Sequence, residues 1–558
     1  MHELFIKHQE RLELALLHCK NRSYWSPFQE SPSSKYHPEG ARLKAKERYD
    51  ELLGEIFPLS QPASIGLVGK EVSPYTQKEL GIRYPQHSPN QLIEASKCAQ
   101  KHWTRSTTEA RVGVCMEILD QLAHNCFLNT YASMHTAGMS FMMGFAGSGA
   151  NALDRGLEAL AHAYKAMADI PYQTVFRRSF ARGPVVRIDK HYHIVGRGVA
   201  VVICCGTFPT WNALPALFAN LATGNPVILK PHPNGILPVA LVVQTGRRVL
   251  AKYGFDPNLI LLAADEADNP ITIPLMENPH TAIIDFTGSP TFGTWIEENF
   301  HKKLVFTETA GCNSVIMEST DNYDGMIHAI AQSLCLFSSQ MCTSAQNIFI
   351  PAQGVQHKGH RISFEKVQQD IIDRIDVLTA DPKVAAALCG CIMSPRTYHD
   401  MNQLRELALQ QNALLRDSVH YVHPQYPHAA TATPMLVAAE FSNSTLYRKE
   451  YFGPMAFVIK APNAQKALEQ AALDAKECGS IASYAYSRNT TFLEEIEEAF
   501  LDAGASIGCN LIQHLPINFS AAYSDFHVTG LNPAGNACLT DIAFVASRFR
   551  IVQIKKER

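Results

Sequence analysis

Through residues 1 to about 170 the apolar positions recur at spacings of three and four, the period of a helix with one buried face. The opening stretch MHELFIKHQERLELALLHCKNR reads as one such helix, and the runs from Gln91 to His124 and from Ala150 to Met167 predict others. Between them, Phe57 to Ser73 carries Pro, Ser and Gly and reads as a loop. From His191 the pattern changes. Short apolar runs, VAVVICC, PVILK, LILLA, TAIIDF and KLVFTE, alternate with helical stretches such as Trp211 to Ala222 and Leu237 to Tyr253. Strands and helices in alternation predict a parallel sheet covered on both faces, an α/β architecture suited to nucleotides. The helical first third then serves to cover that sheet, and no internal repeat is present.

A chain of 558 residues exceeds one hydrophobic core and predicts two or three domains. Its net charge of −3 offers no basic face for nucleic acid or an anionic membrane, so the partner expected is a small molecule. The first helix interleaves charges with apolar residues, unlike a signal peptide, and the most apolar run, Val199 to Leu229, is broken by Gly, Pro, Asn and Thr. These features predict a cytoplasmic protein whose 14 cysteines, the adjacent Cys204 and Cys205 included, are reduced thiols. Cys389 and Cys391 with His420, His423 and His428 fit no zinc spacing, and no metal is expected.

Candidate chemistry centres on FSSQMCTSAQ, Phe337 to Gln346. Tyr323, Ile327, Ile330, Leu334 and Phe337 form a helical stripe that ends just before Cys342, so this thiol sits at an element's end. There a substrate can reach it and backbone dipoles can draw it toward the thiolate, whereas a cysteine within a helix usually fills core space. Glu308 precedes it by 34 positions, 342 − 308. No GxGxxG follows the first strand, but FTGSPTFG follows a later one, with Gly288, Ser289 and Gly293 at a strand-to-helix turn whose amides can hold a pyrophosphate. A plain tight turn is the competing reading of that motif. Lys230 taken alone reads as a solvated strand end, and Phe452 as a core aromatic.

Together, in this order, these segments resemble the aldehyde dehydrogenase superfamily. ETAG and SQMC stand where that family has ELGG and GQxC, with the same 34-residue separation, and FTGSxxxG stands 20 residues before Glu308, 308 − 288. ATGNPVILKP is similar to AAGNxVVLKP, whose lysine, here Lys230, reaches the adenosine ribose. KEYFGPM is similar to EEIFGPV, in which the counterparts of Glu450 and Phe452 hold the nicotinamide ribose and ring. The resemblance implies a Rossmann-like nucleotide-binding domain over 198–310, an α/β catalytic domain over 311–510, and a small strand-exchange oligomerisation element. That element comprises a hairpin at 176–197 and a strand within the C-terminal segment 511–558; residues 1–175 are then a helical extension. It also implies a homodimer or homotetramer, with DIAFVASRFRIVQIK as the exchanged segment. The long N-terminal extension and the CCGTFPTWN and KPHPNG segments look most like the PaaN-type branch of bacterial phenylacetate degradation. That branch implies an aldehyde made by opening a CoA-linked aromatic ring.

Several positions depart from the family's pattern. The asparagine of the family's WNFP aligns with Thr207, leaving Thr207 or Asn212 to supply the oxyanion donor. Ser339 replaces the glycine of GQxC, Asn347 a basic residue, and TGLNPAG the PFGG segment. The mechanism implied is attack by Cys342, hydride transfer to a nicotinamide, and release of the acid by water that Glu308 activates. Two alternatives are a CoA-acylating dehydrogenase, against which Glu308 counts, and a catalytically weak binding or scaffold protein, which the altered oxyanion position favours. For the cofactor, NADP or NAD is expected with NADP slightly favoured: Pro233 stands where NAD-preferring relatives carry a glutamate, leaving Lys230 and His232 to meet a 2′-phosphate.

Overall fold

A computed structural model describes residues 2–62, 64–513, 515–539 and 541–558. The alternating pattern after His191 becomes a five-stranded parallel sheet, in spatial order Ile260–Leu262, Val227–Lys230, Val199–Ile203, Thr281–Thr287, Leu304–Glu308. The central strand shows why its sequence is a continuous apolar run. Val199, Val201 and Ile203 point to one face, with Leu92, Ile93, Ile228 and Leu261. Ala200 and Val202 point to the other, with Leu217, Phe218 and Val243. Each fully buried aliphatic side chain of this kind contributes roughly 1.5–3 kcal/mol.

The helical first third divides between two layers. Pro89–Trp103, started by a Ser88/Gln91 capping box, lies directly on the sheet. Thr108–His124 and Ala152–Ala168 pack instead on the crossover helices Ala213–Ala222 and Ile236–Lys252, because those already cover the second face. The N-terminal helix His2–Asn21 is one layer further out, against Thr108–His124 and Ala152–Ala168. Within the described residues of the 57–73 stretch, Gly66–Val68 forms a strand, which pairs with Tyr84–Gln86.

The second sheet has seven strands, from Leu414–Arg416 at one edge to Ser506–Cys509 at the other, with Ser314–Met317 and Asn347–Pro351 near its centre. Its pairings are parallel except for the Leu414–Arg416 edge. The hairpin expected at 176–197 is built from Gln173–Arg178 and Val186–Gly196. The C-terminal strand Phe549–Glu557 is paired within its own chain, from Phe549 opposite Gly196 to Glu557 opposite Ile188. Just before it, Arg548 reaches into the five-stranded sheet, its guanidinium 2.6 Å and 2.8 Å from the two carboxylate oxygens of the buried Asp285.

Candidate active site

The order of the five-stranded sheet reverses on either side of Val199–Ile203, so the chain leaves that strand and Thr281–Thr287 in opposite directions and opens a crevice between them. The residues that follow the strand ends, Cys204 to Phe208, Lys230 to Pro233, Gly288 to Ser289 and Glu308 to Ala310, line a cleft of about 520 Å³. Its opposite wall comes from the seven-stranded domain and carries Cys342, Met393, Arg396, Glu450 and Phe452. The volume falls within the ordinary range for a small-molecule site.

Cys342 is aimed by a strained turn. The helix Tyr323–Cys335 ends as expected, and Phe337, Ser338 and Ser339 then take φ values of 49°, 48° and 52° in succession. Left-handed conformation costs a residue with a Cβ roughly 1–2 kcal/mol, which explains why a glycine suits position 339. Here side chains brace the turn. Ser339 Oγ donates to the Leu334 carbonyl at 2.8 Å, and Ser338 Oγ to the carbonyls of Cys389 and Ala432 at 3.1 Å and 2.9 Å. Gln340 Nε2 donates to the Cys391 carbonyl at 2.9 Å. Beyond the turn, Asn313 Nδ2 donates to the Cys342 carbonyl at 2.8 Å, and its Oδ1 accepts the amides of Ile481 and Ala482. Burial pushes the Cys342 thiol well above its ordinary pKa, and the Glu308 carboxylate adds to the effect. The backbone amide pulls the other way, as expected from the sequence, but it is outweighed. In the resting protein Cys342 is therefore a thiol.

Glu308 ends its strand and is fully buried. Its Oε1 accepts from Asn212 Nδ2 at 3.1 Å and lies 3.0 Å from His527 Nε2, while Oε2 has no hydrogen-bond partner among the described residues. The same His527 nitrogen is 3.4 Å from Cys342 Sγ. Glu308, Cys342 and His527 thus form one cluster, with a carboxylate oxygen, the sulfur and a ring nitrogen all within 4.8 Å of one another. Sequence reasoning missed His527, which lies two residues before TGLNPAG with no motif to mark it. That segment itself runs beside the Glu308 strand, with the Thr309 amide donating to the Ala534 carbonyl at 2.7 Å and Gly535 bridged to Glu308. Of the two oxyanion candidates, Thr207 and Asn212 both line the cleft, and Asn212 is the one tied to Glu308.

At the nucleotide end the candidates separate. Gly288 and Ser289 line the cleft ahead of the helix Pro290–Asn299, which has no side-chain cap, so its first-turn amides lack a side-chain partner. Gly293 sits behind this wall, where an added Cβ would come within 2.7 Å of Thr309 Cγ2; it brings helix and strand together. Glu450 and Phe452 stand on the facing wall, held by Gln346, whose Nε2 donates to the Tyr447 and Lys449 carbonyls and whose Oε1 accepts the Tyr451 amide at 2.8 Å. Burial raises the Glu450 pKa to about 7.

The two cations expected to meet a 2′-phosphate are not free. Lys230 Nζ is 2.7 Å from Oδ1 of the buried Asp265, and it also donates to the Pro231 carbonyl. His232 presents an open edge to the cleft, yet the protein packed around its ring, and then the Lys230 charge, lower its pKa to about 4, leaving it neutral. The expectation of NADP rests on Pro233 in place of a glutamate as well as on these two groups. Asp265 could not be found from sequence because it lies just beyond the neighbouring strand Ile260–Leu262, 35 positions from Lys230, 265 − 230. The residues present nonetheless fit a nicotinamide dinucleotide, with an open helix N-terminus, a carboxylate and an aromatic ring spaced along one cleft.

Crevice, thiol and carboxylate define an α/β oxidoreductase of the kind that joins a nucleotide fold to a cysteine-bearing domain. Residues 69–510 match the aldehyde dehydrogenase family, and the chain belongs to that family. A crystal structure of an NAD-dependent aldehyde dehydrogenase from Burkholderia multivorans is 40% identical, superposes with a TM-score of 0.97, and is covered over 99% of its length by 100% of this chain. The 1-pyrroline-5-carboxylate dehydrogenase of Bacillus pumilus (strain SAFR-032) is 23% identical over 491 residues, 80% of this chain and 84% of that protein. An aldehyde dehydrogenase-like protein of Saccharomyces cerevisiae is 21% identical over 427 residues, 71% of this chain and 63% of its own length. Among the described residues no helix is long and apolar enough to cross a membrane.

Proposed function

We propose that this protein oxidises an aldehyde to a carboxylic acid through a thioester on Cys342, with NAD as cofactor. The observation that carries the reading is the meeting of Cys342, Glu308 and the nucleotide crevice in one cleft. Bound in that crevice, the nicotinamide would accept the hydride. Gly288, Ser289 and the helix they precede would hold the pyrophosphate, with Lys230 near the adenosine ribose and Glu450 and Phe452 at the nicotinamide ribose and ring. The thiolate of Cys342 attacks the carbonyl carbon, and the oxyanion is held by the Cys342 amide and Asn212 Nδ2. At rest that amide group donates to Glu308, so it must turn from the carboxylate to the oxyanion as the thiolate adds. Glu308 then activates water, and its unpartnered Oε2 leaves an acceptor available for that proton.

A buried carboxylate beside the thiol favours hydrolysis over transfer to CoA, which needs no water-activating base. The retained cluster also speaks against a purely scaffolding role. For the substrate we favour a ring-cleavage semialdehyde of phenylacetate catabolism, on the strength of the CCGTFPTWN and KPHPNG segments. The reading further includes a cytoplasmic homodimer or homotetramer built through the exposed sheet of Gln173–Arg178, Val186–Gly196 and Phe549–Glu557. The test is the appearance of reduced nicotinamide with a panel of aldehydes, with and without CoA, using Cys342→Ala as control. Turnover independent of CoA and absent from the variant is expected. An absolute requirement for CoA, or full turnover by Cys342→Ala, would overturn the reading.

A further inference from the structure

The inference concerns how the nucleophile is made, and it rests on the thioester chemistry proposed above. Cys342 is a thiol at rest, so attack requires a base within reach of Sγ. His527 Nε2 is hydrogen-bonded to it at 3.4 Å. The ring is fixed from three sides. Nδ1 lies 3.3 Å from Ser520 Oγ, the Trp211 ring meets it edge-on at a centroid distance of 4.6 Å, and Nε2 also faces Glu308 Oε1 at 3.0 Å. Ser520 Oγ is itself held by Arg155 Nη2 at 2.7 Å. A serine hydroxyl can accept from Nδ1–H or donate to bare Nδ1, so both neutral tautomers are accommodated.

We propose that His527 is the base that takes the proton of Cys342. The resting contact with Glu308 is satisfied by the Nε2–H tautomer, which holds no lone pair for the thiol; the base is the other tautomer, with Nδ1–H donating to Ser520 and the Nε2 lone pair facing both Sγ and the Glu308 carboxylate. A lone pair opposite a carboxylate oxygen is unfavourable, and a proton placed between them is favourable. The S–H bond breaks, an Nε2–H bond forms, and the electron pair stays on Sγ to attack the aldehyde carbon. The resulting imidazolium donates to Ser520 Oγ and to Glu308 Oε1. Its proton is the one the overall oxidation releases to solvent, while Glu308 separately carries the proton of the hydrolytic water to the departing sulfur. The division leaves Glu308 unprotonated for deacylation. Among the described residues, other charged or titratable groups facing this pair include Cys205, Glu450 and Tyr484 toward Sγ, and Arg155, paired with Glu158, behind Ser520.

The test is the rate of Cys342 alkylation by iodoacetamide, followed on its own peptide by mass spectrometry, in the full-length protein without aldehyde or cofactor. His527→Gln keeps an N–H donor for Glu308 but removes the base, so it separates proton uptake from positioning. Across about pH 6 to about pH 10, its alkylation rate should fall about tenfold below the wild type's at each pH. A profile that superimposes on the wild type overturns the proposal and leaves His527 as a positioning donor. Should His527→Gln fail to fold, Ser520→Ala removes the acceptor of Nδ1–H and should shift the profile in the same direction by less; an unshifted profile there is equally contrary. Because alkylation needs neither substrate nor cofactor, this result can fail while aldehyde oxidation stands, and can hold even where the aldehyde is misassigned.

Discussion

Cys342 and Glu308 were legible because their separation is a one-dimensional property, and the fold brings both to the same cleft. His527 was not, since no spacing rule ties position 527 to either; only the return of the C-terminal segment past the Glu308 strand places it there. Glu450 yields a prediction at this scale. Burial raises its pKa to about 7, so the carboxyl is neutral below that pH and a carboxylate above it. The ionised form is the better acceptor for ribose hydroxyls, so cofactor affinity should rise with pH through about 7 and weaken below it. The measurement is KM for NAD against pH, with Glu450→Gln as comparison; a flat profile in the wild type would remove Glu450 from cofactor binding.

At the scale of elements, all five apolar runs after His191 became strands of one parallel sheet, and the interleaved helices formed close to their expected limits. Short continuous apolar runs alternating with helical stretches identified strands buried on both faces. What sequence could not show was pairing between strand ends. Lys230 read as a free cation until its strand was placed beside the one that leads to Asp265. With Lys230 paired and His232 uncharged, a 2′-phosphate would find neither of the two cations expected for it free, and would have the Asp265 carboxylate close by. The ratio of kcat/KM for NAD over NADP should therefore exceed about tenfold, equivalent to about 1.4 kcal/mol. Equal use of the two cofactors would show that the ion pair opens to admit the phosphate.

At the scale of the whole molecule, the layering of the N-terminal helices follows from which faces are already covered. The C-terminal segment is tied into the nucleotide sheet by Arg548, which holds both carboxylate oxygens of Asp285 and Asn220 Oδ1. Arg548→Ala would leave a buried carboxylate uncompensated, a change that typically costs about 3–5 kcal/mol, and should lower the thermal unfolding temperature. An unchanged unfolding temperature would mean that water or Asn220 compensates Asp285. The larger claim is that two domains close on one cleft so that Cys342 carries the acyl group while the nucleotide crevice takes the hydride. Its most direct test is Glu308→Gln mixed with NAD and an aldehyde that the wild type oxidises. The account predicts a burst of about one equivalent of reduced nicotinamide per site, a slow steady state, and an acyl adduct on the Cys342 peptide. Reduced nicotinamide formed at the wild-type steady rate, with no adduct on Cys342, would contradict it.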